Sequence, residues 1–161
     1  MPLMLAIDPG NTQSGWCIFD DESVLDSGIK QNHEMLELIY QFRTEKLAIE
    51  MIASYGMAVG REVFETCVWI GRFMQWHNKP DDVLLVYRKD VKLHLCGTTK
   101  AKDANIRQAI IDLFPPTGGG KTPQIGTKKQ PGPLYGISSH AWAALAVALT
   151  ATKEATWGKN A

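Results

Sequence analysis

Apolar positions along this chain follow two rhythms, short runs of strand length and longer stretches at helical spacing, and their order predicts a mixed α/β domain. Leu3 to Ile7 is an apolar run ending at Asp8, and the turn residues Pro9 and Gly10 lead through Asn11, Thr12 and Ser14 to a second run, Trp16 to Phe19. Ser23 to Lys30 follows as a third short strand after the acidic turn Asp20-Asp21-Glu22, which makes an antiparallel meander. From His33 to Arg43, Met35, Leu36, Leu38, Ile39 and Phe42 recur at helical spacing. Lys46 to Ile52 is too short for a helix and predicts a buried parallel strand, with Glu50 near its far end.

The pattern then lengthens. Gly56 to His77 predicts a long amphipathic helix bearing Phe64, Val68, Trp69, Phe73 and Trp76, most of them core and the excess a candidate subunit interface. Asp82 to Tyr87 reads as a fifth strand, Arg88 to Leu93 as a short basic helical turn, and Ala101 to Leu113 as a helix with Ile106, Ile110 and Leu113 on one face. Pro115 to Gly136, rich in proline and glycine, is expected to be a mobile loop. Ser138 and Ser139 stand where helix caps are favoured, ahead of an almost wholly apolar helix to Leu149. The predicted unit is one domain over residues 1–152, with a flexible tail over 153–161.

Proline cannot donate to a sheet ladder, so strand pairing should stop just past Asp8 and leave its carboxylate at an exposed strand end. It is then either a simple turn acid or a ligand for a metal or phosphate. Glu50 poses the same choice, since an ionised carboxylate within an apolar run is costly unless it is paired with a base or a metal. If the first and fourth strands are parallel neighbours, both acids emerge at one sheet edge. His140 is the polar group in the first turn of the last helix able to reach out of the core, either a satisfied capping residue or a third member of that site.

Composition adds two points. The 17 basic and 17 acidic side chains cancel overall. Between Arg88 and Lys129, however, nine Lys or Arg stand against three Asp or Glu, a basic zone suited to a nucleic-acid surface or simply to a solvated face. Cys17, Cys67 and Cys96 are odd in number, widely spaced and lack zinc-like spacing, which predicts reduced thiols. No apolar run approaches the length of a membrane span, and no leader pattern is visible, so a soluble cytoplasmic protein is expected, with no membrane partner. Gly118-Gly119-Gly120-Lys121-Thr122 has the ending of a phosphate-binding P-loop, but Pro115 replaces its first glycine and no strand precedes it. No nucleotide cofactor is expected.

Taken together, Ala6-Ile7-Asp8-Pro9-Gly10 with Gly15, Ala48-Ile49-Glu50, Arg88-Lys89-Asp90-Val91-Lys92 running on to Gly97, and Ser139-His140-Ala141 with Ala144-Leu145-Ala146 resemble the RuvC-type Holliday junction resolvases of the ribonuclease H-like superfamily, especially those of bacteriophages. The resemblance spans nearly the whole chain. It implies a ribonuclease H-like fold: a mixed five-stranded sheet, three antiparallel strands and then parallel ones, flanked by helices. It also implies a homodimer that hydrolyses branched DNA with two divalent ions per site, Mg2+ or plausibly Mn2+, leaving a 5′-phosphate and a 3′-hydroxyl. Asp8 would bridge both ions, Glu50 would hold one, and His140 would complete the set.

There are departures from the pattern. Where the family commonly has a further aspartate, three residues beyond the histidine, this chain has Ala143. Asp103 is the nearest acid able to replace it, although the family has a basic residue in that neighbourhood, a charge that Lys100 or Lys102 could supply. DNA contact is expected through Lys89, Lys92, Lys100, Lys102 and Arg107, with Lys121, Lys128 and Lys129 on the loop. Tyr55 is placed either to stack on an opened base or to pack beneath the following helix. Two other functions stay open: cleavage of an RNA–DNA hybrid on the same fold, and junction binding without catalysis.

Overall fold

The computed structural model describes residues 2–160, with side chains described through Thr152. Five strands form one sheet in the order β3-β2-β1-β4-β5. Strands β1 (Met4–Asp8), β2 (Gln13–Phe19) and β3 (Val24–Gln31) make the antiparallel meander, while β4 (Lys46–Met51) lies parallel to β1 and β5 (Leu84–Tyr87) parallel to β4. Helix α1 (Asn32–Gln41) links β3 to β4, and α2 (Arg61–Gln75) lies between β4 and β5. Then α3 (Arg88–Cys96), α4 (Asp103–Leu113) and α5 (His140–Asn160) complete the chain.

Alternation along the central strands divides the core in two. Leu5, Ile7, Leu47 and Ile49 join Met35, Ile39, Ile70 and Phe73 in one layer, beneath α1 and α2. Met4, Ala6 and Ala48 point the other way, into a layer with Val91, Ile106, Ile110 and the inner residues of α5. Helix α5 is apolar nearly all round because it is covered nearly all round, and Ala141, Ala144, Ala146, Ala148 and Ala151 let it lie close to the sheet.

Several boundaries differ from the sequence-based expectation. Helix α2 starts at Arg61, not Gly56, because Tyr55 and Gly56 both take positive φ and the segment leading to the helix is exposed. Helix α5 starts at His140 and continues past Thr152 to Asn160; Ala161 lies outside the described residues. Ser139 sits at φ 49° ahead of it, and the turn is closed by backbone bonds from Ala141 and Trp142 to Ser138 and Ser139.

The segment from Pro115 to Gly136 is not the loose connection that its composition suggests. Gly118 N–H donates to Pro123, Gly119 and Thr127 to Gln130, Gly132 to Ile125, and Leu134 to Gln124, so the loop is knitted by its own backbone. Leu134 is fully buried in the α5 layer, with Ile125 and Ile137 packed against it. Proline and glycine exclude a helix or a regular ladder, but they leave irregular hydrogen bonding open. We expect Leu134→Ala to cost about 2–5 kcal/mol of global stability in urea unfolding, the usual range for a buried leucine; a loss below about 0.5 kcal/mol would mean that the loop is not part of the core.

Candidate active site

The site begins with strand register. Ile7 on β1 pairs with Ile49 on the parallel strand β4, so Asp8 and Glu50 are the next residues on two neighbouring strands. Ala6 and Ala48 face the α5 layer, and by alternation Asp8 and Glu50 face the same way, at the strand ends where α5 begins. The two carboxyl groups are within hydrogen-bonding reach of each other and largely buried, with side-chain exposures of 13% and 16%.

His140 reaches them from the first residue of α5. Its Nδ1 lies 2.9 Å from Asp8 Oδ2. This approach depends on Gly15, which pairs with Asp8 across β1 and β2. A β-carbon at Gly15 would lie 2.5 Å from the carbonyl carbon and oxygen of His140, closer than packed atoms come. The turn that carries the chain out of Asp8 is fixed from below. Buried Asn32 donates from Nδ2 to the Gly10 carbonyl at 2.8 Å and accepts at Oδ1 from buried Ser14 at 2.6 Å, while Ser14 Oγ accepts from Gly10 N–H at 3.3 Å. Nothing in their sequence context marked Ser14 and Asn32 as partners.

Arg88, also absent from the expected site, is its main cation. Since Glu50 pairs with Val86 and Met51 with Tyr87, β5 delivers the next residue, Arg88, beside Glu50 at the start of α3. One guanidinium nitrogen stands 3.7 Å from Glu50 Oε1, and the other is hydrogen-bonded to Asp103. The first distance gives Coulomb attraction without a hydrogen bond, and Glu50 Oε1 is a buried oxygen with no hydrogen-bond partner. Asp103, at the start of α4, is 89% exposed, is bonded to Arg88, and its charge adds to the upward push on Glu50. Asp90, the other acid nearby, accepts from the Tyr87 N–H at 3.1 Å and caps α3.

Burial dominates the electrostatics. Desolvation pushes the Glu50 carboxyl up to about 7, the neighbouring Asp8 charge adds to this, and Arg88 offsets part of it. Asp8 is also raised by desolvation, against the pull of His140 and then Arg88. Cys17 lies fully buried in β2, where desolvation raises its thiol, and is not part of the site.

Three hollows meet around these groups. One of about 510 Å³ is lined by Asp8, the turn from Pro9 to Gln13, and His140. A second, about 280 Å³, brings Arg88, Asp103, Arg107, His140, Trp142 and Ala143 together, with the Arg107 guanidinium over the Trp142 ring at 4.5 Å. In a third, about 330 Å³, exposed Tyr55 shares the lining with Arg88, Lys89 and Lys92. Tyr55 is thus clear of the following helix. Lys100 lines a separate hollow with Asn105 and Asp112, Lys102 is exposed at the start of α4, and Lys121, Lys128 and Lys129 are exposed on the knitted loop.

Comparison with family models finds no match, and comparison with curated proteins finds none either. Solved structures do match. The chain is 20% identical to Thermus thermophilus RuvC, covering 97% of this chain and 96% of that one with a TM-score of 0.70. To T. thermophilus RuvC in complex with a Holliday junction substrate it is 19% identical, covering 98% and 97%, with a TM-score of 0.69. The fold is that of RuvC. Its mixed sheet, three antiparallel strands and then parallel ones, is the arrangement that the resemblance implied, with Asp8 and Glu50 at adjacent strand ends.

The donors on this RuvC fold suit one hard divalent cation. Two facing carboxylates, one with an orphaned buried oxygen, offer oxygen ligands, and magnesium is commonly held by one or two carboxylates with water and phosphate completing its shell. Provision for a second ion is poorer. Among the described residues no group of three or more His, Cys, Asp or Glu side chains is disposed to hold a metal, so even the first ion would have only the two carboxylates with water and phosphate. Asp8 touches both Glu50 and His140, but Asp103 is engaged by Arg88.

The raised Glu50 carboxyl makes a signed pH prediction. Its contribution to stability is full below about 4.5, its unfolded value, and is lost as pH rises through about 7. In EDTA the protein should therefore lose on the order of 3 kcal/mol between about pH 4.5 and pH 8 from this group. We expect Glu50→Gln to remove that loss and to melt higher than the parent at about pH 8; equal melting curves across the range would show that the carboxylates are not strained.

Proposed function

We propose that this chain is a metal-dependent, structure-selective endonuclease that hydrolyses phosphodiester bonds in four-way or related branched DNA. The observation that carries the reading is the contact between Asp8 and Glu50, two buried carboxylates whose remaining oxygen has no partner, at the rim of a RuvC-fold sheet. Such a pair is unfavourable by itself and becomes favourable around a cation. Magnesium is the expected ion, with manganese a substitute at the same oxygen ligands.

A bound divalent cation supplies Lewis acidity, activating water and offsetting charge on the phosphate. The protein does the positioning. Asp8 and Glu50 set the cation's place, and Asp8 also orients His140 through Nδ1. If Nδ1 carries the proton shared with Asp8, Nε2 is the free acceptor for the proton that the attacking water releases. Arg88, Lys89, Lys92 and Arg107 surround the acids with positive charge that meets the DNA backbone, and Tyr55 offers a ring face to an unstacked base. Lys100, Lys102, Lys121, Lys128 and Lys129 extend this surface. The RuvC of the matching complex is bound to a Holliday junction, which makes branched DNA the first substrate to try.

Cleavage of a synthetic four-way junction, a flap and an RNA–DNA hybrid should be measured side by side. The junction should be cut best, its binding should weaken steeply with salt, and Asp8→Asn should keep junction binding while slowing cleavage by more than about 100-fold. Preference for the hybrid would replace the substrate, and unchanged cutting by Asp8→Asn would end the metal-site reading.

A four-way junction has approximate two-fold symmetry, so two copies would present one site to each of two opposed strands. On α2, Phe64 is 61% and Val68 63% exposed one turn apart, an apolar stripe on the face turned away from the core. We expect the protein to be a dimer in light scattering and Phe64→Glu to shift it to monomer without lowering its helix content. A dimer indifferent to that substitution would place the interface elsewhere.

A further inference from the structure

The resemblance implies a pair of cations, yet the residues around Glu50 provide a built-in cation instead. Arg88 stands 3.7 Å from Glu50 Oε1. It is near enough to Asp8 to pull that carboxyl down against burial. Its other nitrogen is tied to Asp103, so the guanidinium is held at both ends and only 29% exposed. The hollow that Arg88, Asp103, Arg107 and His140 share is also lined from α5 by Trp142 and Ala143, whose side chains offer no carboxylate. Asp103, the one acid that lines it, is taken up by Arg88.

We propose that each protomer takes a single divalent ion, between Asp8 and Glu50, and that the Arg88 guanidinium fills the role of the second. This rests on the nuclease reading and specifies how that site works. A guanidinium is always protonated, presents a planar fork of donors and suits phosphate oxygens, so it can face the scissile phosphate from the side opposite the attacking water. The water oxygen bonds to phosphorus, its proton passes to His140 Nε2 or solvent, and the P–O3′ electron pair leaves on the 3′ oxygen. Arg88 hydrogen-bonds that oxygen as charge builds, without giving up its own proton, and solvent supplies the proton of the 3′-hydroxyl. Asp103 is a positioning residue, which explains an exposed acid at the mouth of an anion-binding site: it aims the guanidinium instead of binding an ion.

The test is stoichiometry with manganese alone as the probe, read by electron paramagnetic resonance on the intact protein, free and bound to a four-way junction with phosphorothioates at the cut site. One ion per protomer in both states supports the proposal, and two ions in the junction complex overturn it. Cleavage kinetics give the second readout. Arg88→Ala should lower kcat by at least about 100-fold with little change in KM, the cost of losing a donor at a charge-developing oxygen. Arg88→Lys should recover part of it, and Asp103→Asn should cost less than Arg88→Ala. A kcat unchanged in folded Arg88→Ala overturns the role of Arg88 even if one ion binds. No manganese binding and no cleavage by the parent protein would instead remove the nuclease reading, and this proposal with it.

Discussion

Two carboxylates forced together by strand register are the constraint from which the rest of the site follows. Asp8 and Glu50 are neighbours because β1 and β4 are parallel and in register, and they face the same layer because side chains alternate along a strand. Both are mostly shielded from water, with Ala6 and Ala48 of the same strands buried in the layer that they face. Burial therefore acts against ionisation of both, offset in part by Arg88 and, for Asp8, first by His140. An oxygen of Glu50 is left without a hydrogen bond at 3.7 Å from the nearest guanidinium nitrogen. The compensation is incomplete, and an incompletely compensated pair of this kind is what draws a cation.

The scaffold holds this strain at identifiable contacts. Gly15 sits across the ladder from Asp8, and its missing side chain is the space into which the start of α5 fits. The strand pair that ends in the acid thus also admits the imidazole. Alanines along α5 extend the same economy of volume down the sheet, so the helix lies low enough for its first residue to reach Asp8. On the other side of the turn, Ser14 and Asn32 tie Gly10 to the start of α1, which stops the Pro9-Gly10 bend from rotating the carboxylate away.

Much of this was legible in the chain because the residues concerned break a local rule. Glu50 interrupts an apolar run, Asp8 ends one at a proline, and His140 opens an apolar helix, and each such breach has to be compensated somewhere. The five strands and the order of the helices followed from periodicity. Arg88 was not distinguishable in the same way, for it reads as one more charge in a basic stretch, and only the β4–β5 register sets it against Glu50. The knitted loop was hidden for a different reason. Its order comes from particular backbone pairs, such as Gly119 with Gln130 and Gly132 with Ile125, and from one buried side chain, Leu134. None of these has a period that a pattern of apolar positions could reveal.

On the proposed function, the neutral total charge conceals an arrangement by sign that would separate holding DNA from cutting it. Lys89, Lys92 and Arg107 border the hollows on the α3 and α4 side and form a positive rim whose field reaches over a distance set by salt. Asp8 and Glu50 lie inside that border, and on that reading their negative charge would repel a phosphate until a cation offsets it. In the proposed nuclease the DNA backbone would dock while the scissile group is kept out until charge at the centre is reversed. Affinity should therefore follow the basic rim and turnover the acidic centre, with Arg88 belonging to both because it faces outward to the Tyr55 hollow and inward to Glu50.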